Sequence, residues 1–321
     1  MKRRLFLSAM TSLALAGATP VLAASSEPVK LVVAFTPGGP VDTIARSMSE
    51  QLTRELGRNV IVENRPGANG NIAAGYVAGA PKDGSVLFLT SVGAVAISGA
   101  LYNSLSYDPV KDFAPVSRVV NNATVFVVNA NNPATDAADF VSRSKAEKQA
   151  YAIGSSGIGS IPHLTLELFQ DATGANVIHV PYKGASQVVN DVLGGHVDGF
   201  FGDLPGLISQ IQAGRLKALG VAAPAPSPLL KDVKTLADQG IKGVESNNWY
   251  GLLAPAGTPP EVITKLNLAM RNTLETPAVR ERLESMGAEV APSSPEALNE
   301  LIVADRAKWT DLIKSKNIQP E

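Results

Sequence analysis

The sequence predicts an α/β protein built as two lobes with largely parallel sheets, and three observations carry that prediction. Short apolar runs alternate with amphipathic helical patterns through most of the chain, as in strands joined by crossover helices. Two segments share one grammar, an apolar run, a glycine-rich turn and then an amphipathic helix. The first is residues 31–35 (LVVAF), then TPGGPVD, then a helix to about residue 56; the second is 151–153 (YAI), then GSSGIGSIP, then a helix to about residue 173. Finally, Val119-Val120-Asn121-Asn122 precedes an apolar run at 125–128, which puts a lobe boundary near residues 120–135 with a return crossing near 246–253. One lobe is then expected to comprise 24–122 plus 247–321, and the other 123–246. Two short crossings between lobes make a hinge.

Taken in order, residues 1–23 read as a signal peptide rather than part of the fold. Lys2, Arg3 and Arg4 form the basic end, 5–16 the apolar stretch, and Val21-Leu22-Ala23 a small-residue cleavage site. The stretch is too short for a permanent membrane span. Arg3-Arg4 also fits a twin-arginine leader, so export by the general secretory or the twin-arginine route is expected, into the periplasm. Strands are expected at 31–35, 60–63, 86–90, 124–128, 151–153, 177–180, 197–201 and 218–221.

The helices between them are well marked. Val41, Ile44, Met48, Leu52 and Leu56 recur every three or four residues before Gly57 stops the run. Ser160 can cap a helix with Pro162 in its first turn, burying Leu164, Leu168 and Phe169 before Gly174. Val188, Val189, Val192 and Leu193 form another face, closed by Gly194-Gly195. Thr258-Pro259-Pro260-Glu261 and Ser293-Ser294-Pro295-Glu296 read as capped helix starts with proline in the first turn. No internal repeat or low-complexity tract is evident.

Composition narrows the function classes. The 321 residues are 45% hydrophobic and 18% charged with a formal net charge of −1, an ordinary globular balance with no basic stripe for nucleic acid. The absence of cysteine excludes disulfides, thiolate catalysis, cysteine metal sites and a lipid anchor at the cleavage site. His163, His179 and His196 are widely spaced without a metal-ligand pattern, so no metal and no cofactor are expected.

The two turns carry the functional reading. Each aims free backbone N–H groups and a positive helix end at one spot, which suits an anion. In Thr36-Pro37-Gly38-Gly39-Pro40-Val41-Asp42 the glycines allow close approach of a ligand to the backbone, while neither phosphate-loop pattern, GxxxxGK[ST] or GxGxxG, is present. Asp42 reads first as a helix-end charge and second as a ligand contact. In Gly154-Ser155-Ser156-Gly157-Ile158-Gly159-Ser160, hydroxyls join the same geometry, and the nucleophile pattern GxSxG fits neither Ser155 nor Ser156. His163 lies in a helix's first turn, where capping or support of the site fits better than catalysis. Thr90 and Ser91 end a strand at the sheet edge where ligands bind in open α/β folds, with helix capping as the other reading. Asp203 sits at a strand-to-helix junction on the same rim, either capping the next helix or facing the cleft. No second carboxylate pairs with it, so an enzyme is not expected.

The segments LVVAFTPGGPVDTIAR, VIVENRPGANGNIAA, APKDGSVLFLT, YDPVKDFAPVSRV, YAIGSSGIGSIPHLTLELF, VPYKGASQVVNDVLGGHVDGFF, LKALGV and WYGLLAPAGTP, in this order, resemble the substrate-binding receptors of tripartite tricarboxylate transporters, the Bug family. The likeness runs from about residue 29 to about residue 315. It implies a type II periplasmic binding protein of the Venus-flytrap kind, two α/β lobes joined by a two-strand hinge, usually a monomer. It also implies that two loops hold ligand carboxylates through backbone donors and ordered waters. These fall on 35–42, with Phe35, Pro37, Gly38, Gly39 and Asp42, and on 155–160, with Ser155, Ser156, Gly157 and Ser160. Thr90 and Asp203 occupy positions of further contacts. Where Pro40-Val41 stand, the family often has a bulkier apolar or polar residue, which leaves side-chain specificity open. Family ligands include citrate and other di- and tricarboxylates, aromatic carboxylates, amino acids and nicotinate-like compounds. The implied partner is a two-subunit membrane permease driven by an ion gradient; the alternative role is presentation of the loaded form to a sensor kinase.

Overall fold

The computed structural model describes residues 27–320, so the leader expected at 1–23 lies outside the described residues. At the start of the fold, β1 (Val29–Val33), α1 (Pro40–Leu56), β2 (Val60–Asn64), α2 (Asn71–Ala78) and β3 (Val86–Ser91) form a parallel unit with β1 between β2 and β3. A π-helical turn, Gly93–Ile97, and the short α3 (Ser98–Leu101) lead to the long β4 (Phe113–Asn129). The pattern then starts again. After α4 (Ala137–Ala146), the segments β5 (Tyr151–Ser155), α5 (Ile161–Thr173), β6 (Val177–Pro181), α6 (Ala185–Gly194) and β7 (Gly199–Asp203) place β5 between β6 and β7, again in parallel. The chain continues through α7 (Ile208–Gln212), β8 (Leu216–Val221), β9 (Asn247–Pro255), α8 (Pro260–Glu275), α9 (Pro277–Ser285), β10 (Ala288–Val290) and α10 (Pro295–Ser315).

Strand β4 joins the two units. Up to Ala123 it pairs with β9, and from Thr124 onward it pairs with β7 and β8. The chain returns beside it: the Ser246 N–H donates to the Ala222 carbonyl, and Asn247 already pairs with Ala123. These are the two strands of the hinge. The lobes therefore repeat one topology, although the sequence shows no repeat. Topology needs only apolar runs and turns in the same order, not the same residues.

Parallel pairing is less dominant than the sequence indicates. Among the described residues, four strand pairings are parallel and five antiparallel. A strand that enters a lobe from its neighbour runs against that lobe's own β-α-β series, so β4 and β9 are antiparallel to it. The first half of β4 was missed as a strand because Pro115, Ser117, Arg118, Asn121 and Asn122 interrupt its apolar pattern. Several of their polar groups are met inside the fold: the Ser117 hydroxyl bonds the Ser293 carbonyl and the Asn122 amide nitrogen donates to the Asn248 carbonyl at 2.8 Å.

Capping follows the sequence in most places. Gly57 and Gly174 end α1 and α5 at φ 63°, a left-handed conformation that suits glycine. The Ser160 and Ser294 hydroxyls accept from the N–H groups of His163 and Ala297, three residues on. Thr258 does not cap α8, because Pro259 occupies the cap position and leaves Thr258 one residue too early; its hydroxyl donates to the Pro255 carbonyl at 2.8 Å instead.

Each lobe buries its own core. In the second, Phe126 stacks on Phe201 with ring centroids 4.5 Å apart, and Phe140 and Phe169 close around it. Ile161 and Leu164 of α5 instead pack among residues of the first lobe, including Ile97 and Leu101. The helix that follows the second turn thus reaches across the cleft, and the lobes are in contact.

Candidate functional site

The two glycine-bearing turns meet across that cleft. Where they meet, the protein lines a narrow cleft with about 440 Å³ of space between its atoms, a figure that includes space open to solvent. Phe35, Thr36, Gly39, Pro40 and Val41 form one wall; Ser156, Ser160, Ile161 and Pro162 form the opposite one. Asn69 and Ser91 close the first-lobe side, Ala185 and Phe200 the second-lobe side, and Asp203, Asn248 and Tyr250 the floor beside the hinge. Among the described residues, no lysine, arginine or histidine lines the cleft.

The first turn presents its donors because it has no side chain to cap them. Gly39 is the N-cap of α1 and makes no side-chain cap bond, while Pro40 carries no N–H. The N–H groups of Val41 and Asp42 are left for a ligand at the positive end of a 17-residue helix. Asp42 does not compete for that ligand. Its carboxylate accepts from the Gly38 N–H, the Asn64 amide and the Arg46 guanidinium, all near 3 Å. Burial pushes its carboxyl up, but those hydrogen bonds outweigh burial and hold it below the usual value. Asp42 therefore shapes the turn by fixing Gly38, while Pro37 and Gly38 themselves stay exposed outside the cavity.

The second turn is largely self-bonded. The Ser155 hydroxyl accepts from the Gly157 N–H and lies 2.6 Å from His179 Nε2; the Ser160 hydroxyl donates to the Gly157 carbonyl. The Gly159 N–H donates to Nδ1 of His163, which places the His163 proton on Nε2, 3.5 Å from Glu167. The His163 and His179 rings stack at 3.9 Å beneath the turn. Burial, with the adjacent His163, pushes His179 down to about 3, so it is neutral near pH 7 and supports the turn as an uncharged partner. Of the serines expected to contact a ligand, Ser156 lines the cavity with its hydroxyl free of the turn's own bonds.

Of the residues singled out from sequence, Phe35, Gly39, Ser91, Ser156, Ser160 and Asp203 come together around the cavity. Pro37, Gly38, Asp42, Thr90, Ser155, Gly157 and His163 stand outside its lining. Thr90 is fully buried, its hydroxyl turned to the Ser91 carbonyl. Asn69, Asn248 and Tyr250 were missed. Asn69 adopts a left-handed backbone (φ 51°, ψ 34°), which asparagine tolerates better than most residues, and the Asn69-Gly70 pair was a turn signal for it. Asn248 and Tyr250 had no local signal, because they reach the site only through the register of β9 against β4.

Among the described residues, Asp203 is the one ionisable carboxyl that lines the cavity. It does not cap the following turn; Oδ2 accepts from the Tyr250 hydroxyl and, at 2.8 Å, from the Asn248 amide. Burial pushes its carboxyl up to about 7 against those two hydrogen bonds. Among the described residues, no group of three or more metal-binding side chains occurs, and no helix is long and apolar enough to cross a membrane.

Comparison with known proteins agrees with this architecture. The family described as tripartite tricarboxylate transporter family receptor matches residues 44–318. The structure of the periplasmic binding protein BugD superposes with a TM-score of 0.87 at 33% identity, covering 92% of this chain and 99% of that one. A Rhodopseudomonas palustris protein, Rpa4515, solved with adipate, superposes at 0.88 and 33% identity over 92% and 98% of the two chains. MatC of the same organism, solved with bound malate, superposes at 0.84 and 30% identity over 89% and 98%. Family match and shared two-lobed fold lead to one conclusion: the chain belongs to the tripartite tricarboxylate transporter receptor family, whose members are periplasmic solute-binding receptors and not enzymes.

Proposed function

We propose that this protein captures a small organic acid between its lobes and delivers it to a two-subunit membrane permease. The observation that carries the reading is the convergence of two turns from opposite lobes on one cavity without a cationic side chain. The uncapped N-terminus of α1 and the Ser156 hydroxyl are suited to a carboxylate, and they approach it from different lobes. A ligand that bridges both favours the closed form, whereas a ligand touching one lobe equally in both forms shifts nothing. Adipate in Rpa4515 and malate in MatC support the carboxylate class. The moving bodies in this reading are residues 24–122 with 247–321 and residues 123–246, and Phe35, Gly39, Ser91, Ser156, Ser160 and Asp203 are the contacts retained from the sequence analysis.

The test is a thermal-shift screen of the mature protein against aliphatic, hydroxylated, aromatic and amino-substituted carboxylates. A true ligand stabilises by about 2.7 kcal/mol at a hundredfold excess over its Kd. A screen in which no carboxylate raises Tm would refute the reading. Delivery is tested separately, by uptake of the identified acid in cells with and without the partner permease.

A further inference from the structure

The cavity floor differs chemically from the turns above it. The turns offer donors; the floor offers acceptors. Asp203 and Asn248 are 7% and 5% exposed, both line the cavity, and in each the Oδ1 atom has no hydrogen-bond partner in the protein. The two groups are locked side by side. The Asn248 amide nitrogen donates to Asp203 Oδ2, which also receives the Tyr250 hydroxyl, and the Asn248 backbone carbonyl is held by Asn122. Both donors of this network are therefore directed at Oδ2, and the two oxygens left over are acceptors whenever Asp203 is ionised. A buried acceptor without a donor is costly, and a buried carboxylate without a cation more so. Among the described residues, no cationic side chain lines the cavity to relieve it.

We propose that this acceptor pair seats a primary ammonium group, so that the acid carried by this receptor is a small amino acid and not a plain di- or tricarboxylate. The inference rests on the carboxylate reading above and names the class within it. Counting donors decides among the possible groups. A hydroxyl brings one proton for two acceptors. A second carboxylate brings none, and could be accommodated only if Asp203 were protonated and became the donor. A primary ammonium brings three N–H donors and the missing positive charge, with the Ser91 hydroxyl on the adjoining wall able to receive the third; Asn69 there has both its amide oxygen and its amide nitrogen unpartnered. The ligand's carboxylate then meets the donors of the turns, and its ammonium the acceptors of the floor.

The experiment compares matched pairs on the intact mature protein by calorimetry: alanine with propionate, glutamate with glutarate, and γ-aminobutyrate with butyrate. The aminated member of a binding pair is expected to bind about a hundredfold tighter, because a site built for a donor rejects the analogue that lacks it. Repeating the titration near pH 7 in two buffers of different ionisation enthalpy gives the proton count. An ammonium beside Asp203 favours its ionised form and releases protons on binding; a second carboxylate would cause uptake. Asp203→Asn keeps an oxygen for Tyr250 and Asn248 while turning a donor toward the cavity, and is expected to abolish the preference for the aminated acid. Plain acids binding as tightly as their aminated partners, or with proton uptake, would overturn the proposal while leaving the carboxylate reading intact. If neither member of any pair bound, and the wider screen were also blank, both would fall together. The wild-type proton count makes the result independent of how well the variant folds.

Discussion

Substituting Gly184 by alanine tests whether the cavity forms by closure of one lobe on the other. Gly184 precedes α6 on the second lobe with an extended backbone (φ 170°) that any residue adopts, so alanine introduces no strain within its own lobe. A Cβ placed there has Thr36 of the first turn as its three nearest neighbours, with Oγ1 at 2.6 Å, Cγ2 at 3.2 Å and Cβ at 3.5 Å. Ordinary contact begins at 3.4 Å, so the methyl is 0.8 Å (3.4 − 2.6) too close to the hydroxyl across the cleft. Overpacking of this kind costs ~1–3 kcal/mol, which corresponds to a ~5- to 150-fold rise in Kd if the whole cost falls on the closed form. The open form has no such contact, so Tm of the unliganded protein should be little changed and its small-angle scattering should shift toward larger dimensions. Thr36→Ala removes the two crowding atoms and should restore affinity in the double variant, giving a coupling energy of the same size. Wild-type Kd in Gly184→Ala would refute closure of these turns on a ligand.

Three further outcomes follow from the same geometry. Gly39→Val puts a Cβ 3.1 Å from the Thr36 carbonyl and 3.6 Å from Ser186 of the other lobe, and should abolish ligand-induced stabilisation while the circular-dichroism spectrum stays that of the parent. Asp203 has a folded value of about 7 above its ordinary 3.8, so the folded protein holds the extra proton between them; unliganded stability should fall as pH rises from about 4 to about 7, and a Tm-against-pH profile of Asp203→Asn should lack that part of the slope. Ser160→Ala removes the α5 cap and the bond to the Gly157 carbonyl, and should cost ~1 kcal/mol or more in urea unfolding; an unchanged midpoint would mean that the turn is held by His163 and His179 alone.

The repeated grammar of strand, glycine turn and helix was legible because it is local. Apolar spacing along α1, the stops at Gly57 and Gly174, and the cap at Ser160 each depend on residues within a few positions of one another. Membership of a receptor family was legible too, since the turn motifs run along the chain in family order. By itself the sequence determined the α/β class, the two glycine-bearing turns that follow β1 and β5, and the receptor family. The tertiary structure decided what each turn residue does. It assigned Asp42 to Asn64 and Ser155 to His179, because hydrogen-bond partners that lie far apart along the chain are set by packing. It also brought Asp203 of β7 against Asn248 and Tyr250 of β9, more than forty positions away, through pairing with β4. No local pattern encodes that meeting, since strand register is fixed by which faces the whole sheet must bury.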